Sequence, residues 1–207
     1  MSSWEGDYGE WQYIWTDQYE LFNAQQTQNN VYIIARYFRE QGWTDQAIAS
    51  MCGNMWAESY INPAQWEGGH MWSPFYGFGL VQWTPRTKYS DWADSVWDYN
   101  WDFQMFRIQW ELVNGVQWDN VGFGTFWQFA HVPDGLDYLT EAFLRSYEKP
   151  RDPDATLDYR IQRSIQCWEW INGGVPPYRG KKKKKIILFK IAQNNSMIGK
   201  QKHWGGD

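Results

Sequence analysis

The chain has 207 residues, enough for one domain with arms and a real core, and 43% hydrophobic against 21% charged residues excludes a disordered body. Its net charge of −5 is unevenly spread: residues 181–207 hold eight lysines and one acid, +7, leaving −12 on residues 1–180. An acidic body argues against sequence recognition of nucleic acid, which needs a basic face.

Residues 1–28 read as an acidic, aromatic arm. Glu5, Asp7, Glu10, Asp17 and Glu20 stand among Trp4, Tyr8, Trp11, Tyr13, Trp15 and Tyr19 with no basic residue. Poor periodicity predicts an extended segment that packs on the domain or on a partner protein. The start lacks the basic and apolar regions of a secretion signal, and no run has the length of a membrane span.

Residues 29–178 read as the folded domain, and as mainly helical. Val31, Ile34, Ala35 and Phe38 share a helix face that Gly42 ends. Thr44 is placed to cap the next helix, with Ile48, Met51, Cys52 and Met55 on one face. Further helices are predicted through Tyr89, Trp92, Ala93 and Val96, and through Phe103, Phe106, Trp110 and Val113. Another carries Leu136, Leu139, Phe143 and Tyr147 to a stop at Pro150, and the last carries Leu157, Ile161, Ile165 and Trp168 to Gly173. The stretch from Asn62 to Trp83 is where a small β-hairpin can sit. Cys52 and Cys167 both fall in helices and read as buried thiols, with a single bridge left open. Residues 179–207 form a Lys-rich tail: a flexible solubilising segment, a contact with anionic polymer or membrane, or a docking peptide.

The chemistry is carried by two segments. In Gly53-Asn54-Met55-Trp56-Ala57-Glu58-Ser59-Tyr60-Ile61-Asn62-Pro63, Glu58 continues an apolar helix face near the helix C-terminus. Burial and the negative end of the helix dipole both disfavour an ionised carboxylate, as protonation of a glycosidic oxygen requires. An ordinary glutamate reaching to solvent from a fraying helix end fits the segment equally well. About twenty residues on comes Gly77-Phe78-Gly79-Leu80-Val81-Gln82-Trp83-Thr84-Pro85. Here Gly79 lets backbone approach a ligand, Gln82 offers an amide to a sugar, and Trp83 offers a stacking face. Of the 17 tryptophans, 13 tyrosines and 11 phenylalanines most fill a core, but Trp72, Tyr76 and Trp83 are candidates for sugar stacking.

Together these segments resemble the lysozyme and lytic transglycosylase superfamily. Adding Lys88-Tyr89, Trp92-Ala93, Gln109-Trp110-Glu111, Phe143-Leu144 and Tyr147-Glu148-Lys149-Pro150, residues 30–173 are similar to the phage tail lysozyme family of tail-tip peptidoglycan hydrolases. The resemblance implies a mainly α, lysozyme-like fold, a peptidoglycan glycan strand as substrate, and Glu58 as general acid. It implies a virion protein at the phage tail tip acting on the host wall, with other tail proteins as partners of the two arms. Members often carry a metallopeptidase domain as well; none is expected here, since His70, His131 and His203 lack metal-ligand spacing. No metal or cofactor is expected.

A second carboxylate lies about 5–5.5 Å from the acid in retaining glycosidases and about 6.5–9.5 Å in inverting ones. Glu67, between Trp66 and Gly68-Gly69, is the first candidate, followed by Asp91 or Asp94 and then Glu148. Glu148 reads as a structural residue tied to Arg145 or Arg151. Lytic transglycosylases need no second carboxylate, so that reaction stays open, as does a virion protein that grips glycan without cutting it.

Overall fold

The computed structural model describes residues 9–19, 21–93 and 100–173. The Lys-rich tail, Asp94, Val96 and His203 lie outside the described residues.

Seven α-helices account for most of the described chain. Helix α1, Ala24–Glu40, starts at a capping box in which the Asn23 side chain accepts from the Gln26 N–H and Gln26 reciprocates. Its buried face includes Val31, Ile34, Ala35 and Phe38, as the spacing predicts. The chain leaves it through Gly42 at φ +82°, and buried Trp43 turns back onto Phe38 with ring centroids 4.4 Å apart. Thr44 then caps α2, Asp45–Ser59, by accepting from the Ala47 N–H at 3.2 Å.

Helix α2 is buried on almost every side, from Ala47 to Trp56. A helix apolar all round belongs at the centre of a bundle, and α2 packs against α1, α5 (Phe126–His131), α6 (Leu136–Phe143) and α7 (Leu157–Asn172). Its closest neighbour is α7, and Gly53 sets that approach. A Cβ at residue 53 would lie 2.8 Å from the Arg160 carbonyl oxygen and closer still to Ser164. Cys52 and Cys167 are buried free thiols on the same two helices.

The predicted hairpin between α2 and α3 (Thr87–Ala93) is reduced to a single antiparallel bridge between Trp66 and Phe78. Side chains replace the missing ladder. Gln104 accepts from the Leu80 N–H at 2.8 Å and donates to the Pro63 carbonyl at 2.7 Å. Ser59 donates to the Leu80 carbonyl at 2.9 Å. Gly79, at φ +83°, presses so close to Gln104 that a Cβ would fall 2.5 Å from its Oε1.

Helix α4, Asp102–Asn114, supplies Gln104, and its buried face differs from the predicted one. Phe106 is buried, but Trp110 and Val113 are exposed, at 37% and 70%. Met105, Ile108, Gln104 and Glu111 face inward instead. Two polar residues sit in the core because each bonds there, which an apolar pattern cannot show. Glu111 accepts from Trp83 Nε1 at 3.1 Å, from Arg107 at 2.8 Å and from the Tyr147 hydroxyl.

Helix α6 runs directly into a π-helical turn, Leu144–Glu148, closed by the Lys149 N–H donating to the Leu144 carbonyl at 2.8 Å. This turn aims Tyr147 at Glu111 and leaves Glu148 beside the end of α2. Such turns recur at functional sites. The N-terminal arm packs on the domain: the Asn30 side chain accepts from the Gln12 N–H and donates to its carbonyl, and Asn62 does the same for Ile14.

Replacing Gly53 with alanine is expected to force α2 and α7 apart. Overpacking of this kind costs about 1–3 kcal/mol or more, and here the obstacle is backbone. Gly53→Ala is expected to lower the thermal midpoint sharply or give insoluble protein, whereas Gly115→Ala, with nothing within 4 Å, costs only its left-handed backbone.

Candidate active site

The last turn of α2 carries Glu58 to the surface of a cavity of about 310 Å³. Glu67, Gln82, Trp83 and Glu148 line the same cavity. Three carboxyl groups from separate parts of the chain therefore share one space with an amide and an indole.

Each is held differently. Glu58 is an ion-pair partner of Arg160, with Nη2 to Oε1 at 2.5 Å. Arg160 itself is 4% exposed and is fixed by the Asn54 side chain at 3.1 Å and by Thr156 at 3.1 Å. The Gly53 approach brings this arginine within reach. Glu67 accepts from the Gly77 N–H at 2.8 Å, and its own N–H donates to the Gly77 carbonyl at 2.9 Å, so the Trp66–Phe78 bridge fixes its side chain.

Among the described residues no cation is bonded to Glu148: Arg145 pairs with Glu141 and Asp154. The expected tie between Glu148 and Arg145 is thus replaced by a place in the cavity wall. Its Oε1 is buried with no hydrogen-bond partner. Burial pushes the Glu148 carboxyl well above the usual carboxylate range; the nearby charge of Glu58 adds to this, and Arg160 opposes it. Burial also raises Glu111, against the bonds from Tyr147 and Arg107.

Gln82 sits at φ 47° and donates its amide to the carbonyls of Gly79 and Gln65, at 2.9 Å and 3.2 Å. Those two bonds leave its buried Oε1 without a partner. Gly77 makes room for it, since a Cβ there would stand 2.8 Å from that oxygen. Trp83 lines the cavity by an edge: it is 2% exposed, with its ring stacked on Tyr89 at 5.0 Å.

The other predicted residues are placed elsewhere. Gly79 packs on Gln104, and neither Trp72 nor Tyr76 lines the cavity. Trp72 leans on Trp15 and Trp66, and Tyr76 stacks on His70 at 3.4 Å. Asp91 is exposed on α3 and does not line the cavity either. A larger cavity of about 590 Å³, beside Trp56, Tyr159 and Arg163, is lined by no carboxylate. Among the described residues no cluster of three potential ligands could hold a metal ion, and no helix is long and apolar enough to cross a membrane.

A helical bundle with a carboxylate at the end of its central helix, facing a Gly-rich loop across a polar cleft, defines a lysozyme-like domain. The chain belongs to the phage tail lysozyme family, whose pattern it matches over residues 28–171. It is 42% identical over 143 residues to "Morphogenesis protein 1" of Bacillus phage B103, a stretch that makes up 68% of this chain and 38% of that protein.

The buried acid gives a pH signature. A carboxyl raised in the fold costs stability as pH climbs from the ordinary carboxylate range, because the unfolded chain ionises first. Glu148→Gln removes that cost, since a neutral amide stays neutral. Its thermal midpoint is expected to exceed the wild type's near pH 8 and to lose that advantage near pH 4.5. A parallel offset at both pH values would show that Glu148 does not titrate in this way.

Proposed function

We propose that this chain cleaves the glycan strands of peptidoglycan as a lysozyme-type glycosidase. The observation that carries this reading is the convergence of Glu58, Glu67 and Glu148 on one cavity with an unpartnered Gln82 oxygen. Glycoside cleavage needs a proton for the leaving oxygen and a second group to meet the oxocarbenium-like centre. Glu58, the catalytic acid of this proposal, lines the cavity from the end of α2, beside Glu148, whose carboxyl burial pushes well above the usual range. Glu67, fixed by Gly77, is the candidate second carboxylate. Gln82 Oε1 is an acceptor for a sugar amide or hydroxyl, and the edge of Trp83 closes the wall.

The setting we propose is a phage particle. The family is that of phage tail lysozymes, and the relative in phage B103 is named for morphogenesis. A tail-tip component that opens the host wall locally during DNA entry fits both. Residues 1–28 and 179–207 then serve as contacts to other tail proteins, flanking a glycan-cleaving domain over residues 29–178. Trp72 and Tyr76, exposed at 45% and 37%, are available to strand segments outside the cavity.

Mass spectrometry of products from purified peptidoglycan tests the reading. Wild type is expected to release reducing-end muropeptides, and Glu58→Gln to lose activity by about 10²–10⁴-fold, the usual contribution of a general acid. Anhydro-muramic products would assign a lytic transglycosylase instead. Uncut glycan with wild type would leave binding or assembly as the role of the domain.

A further inference from the structure

Tyr19 also lines the Glu58 cavity, and it comes from the N-terminal arm. The family match begins at residue 28, so this part of the wall lies outside it. From Gln12 to Thr16 the arm is seated on the domain. Asn30 and Asn62 clamp Gln12 and Ile14, and the Thr16 carbonyl accepts from the Trp66 N–H at 2.8 Å. Trp15 packs between Trp72 and Trp101, with ring centroids 5.2 and 5.3 Å away.

The Tyr19 ring lies over Gly68, where a Cβ would stand 3.4 Å from its Cε2, and so beside Glu67. It remains 43% exposed. Burial raises its phenol, as do the charges of Glu67 and Glu58, against a bond to the Gly68 backbone. Both carboxylates thus act on one hydroxyl, which keeps its proton at neutral pH and can donate it in a hydrogen bond. A ring with one open face and a donor at its tip has the chemistry of a sugar contact.

We propose that Tyr19 is a substrate-binding residue of this cleft, packing its ring on a sugar face and donating its hydroxyl to a sugar oxygen beside Glu58 and Glu67. The inference rests on the glycan-cleaving reading, and it makes the arm a working wall of the site.

The test compares full-length wild type, Tyr19→Phe and Tyr19→Ala. One measurement is kcat and KM on solubilised peptidoglycan strands; the other is calorimetric binding of an N-acetylglucosamine hexamer. Thermal midpoints check that the fold is kept, as expected for a half-exposed side chain. Losing the hydroxyl is expected to weaken binding about threefold and losing the whole ring about tenfold, with KM rising in step and kcat held within about twofold. Unchanged KM and hexamer affinity in Tyr19→Ala would overturn the proposal. So would faster cleavage, which would make Tyr19 an occluding strap. If wild type leaves the glycan uncut, the glycosidase reading fails separately and hexamer binding decides alone: weaker binding by Tyr19→Ala upholds the contact. A hexamer that wild type does not bind ends it.

Discussion

Residue 53 has room for a hydrogen and nothing larger, and the arrangement of the candidate site follows from that. The close approach of α2 and α7 lets Arg160 reach across to Glu58 while Asn54 and Thr156 hold the guanidinium in place. A buried arginine without an anion would be a serious liability. Glu58 therefore meets a structural demand, and its carboxyl is held at the cavity wall by Arg160 rather than swinging from a frayed helix end.

The second constraint is electrostatic. Glu58, Glu67 and Glu148 crowd one small cavity, and among the described residues a cation pairs with Glu58 alone of the three. Like charges in a poorly solvated space cannot all ionise without cost. The strain falls on Glu148, whose carboxyl is pushed well above the usual carboxylate range by burial and by the nearby charge of Glu58, against Arg160. Strongly shifted carboxyls of this kind cluster at functional sites, although structural networks produce them too.

Around these groups the fold substitutes side-chain bonds for regular structure. Gln104, Ser59 and Asn62 pin the loop between α2 and α3 and the arm that crosses it. Every one of these is a buried polar residue whose bonds are made to backbone. The result is an irregular wall that can hold Gln82 in a left-handed backbone conformation with one amide oxygen free. A two-stranded ladder would have used those backbone groups itself.

The sequence by itself marked six of the seven helices of the described chain, all but the short α5. The apolar spacing of Val31, Ile34 and Phe38, the cap at Thr44 and the stop at Gly42 are local properties, set by residues within a turn or two of each other. Glu58, Gln82 and the Gly-rich stretch were legible as a pair of motifs for the same reason. What only the tertiary structure decided depends on contacts far along the chain. Arg160 stands 102 residues from Glu58, and no local pattern marks it as a partner. In the sequence Glu148 reads as a structural residue tied to Arg145 or Arg151, and the π-helical turn places it in the cavity wall. Trp72 and Tyr76 have the composition of sugar-stacking residues, but which aromatic faces the cleft is set by packing among many rings, and Tyr19 of the arm took that position. Helix formation depends on near neighbours; a cleft depends on which distant surfaces are brought together, and on what space is left between them.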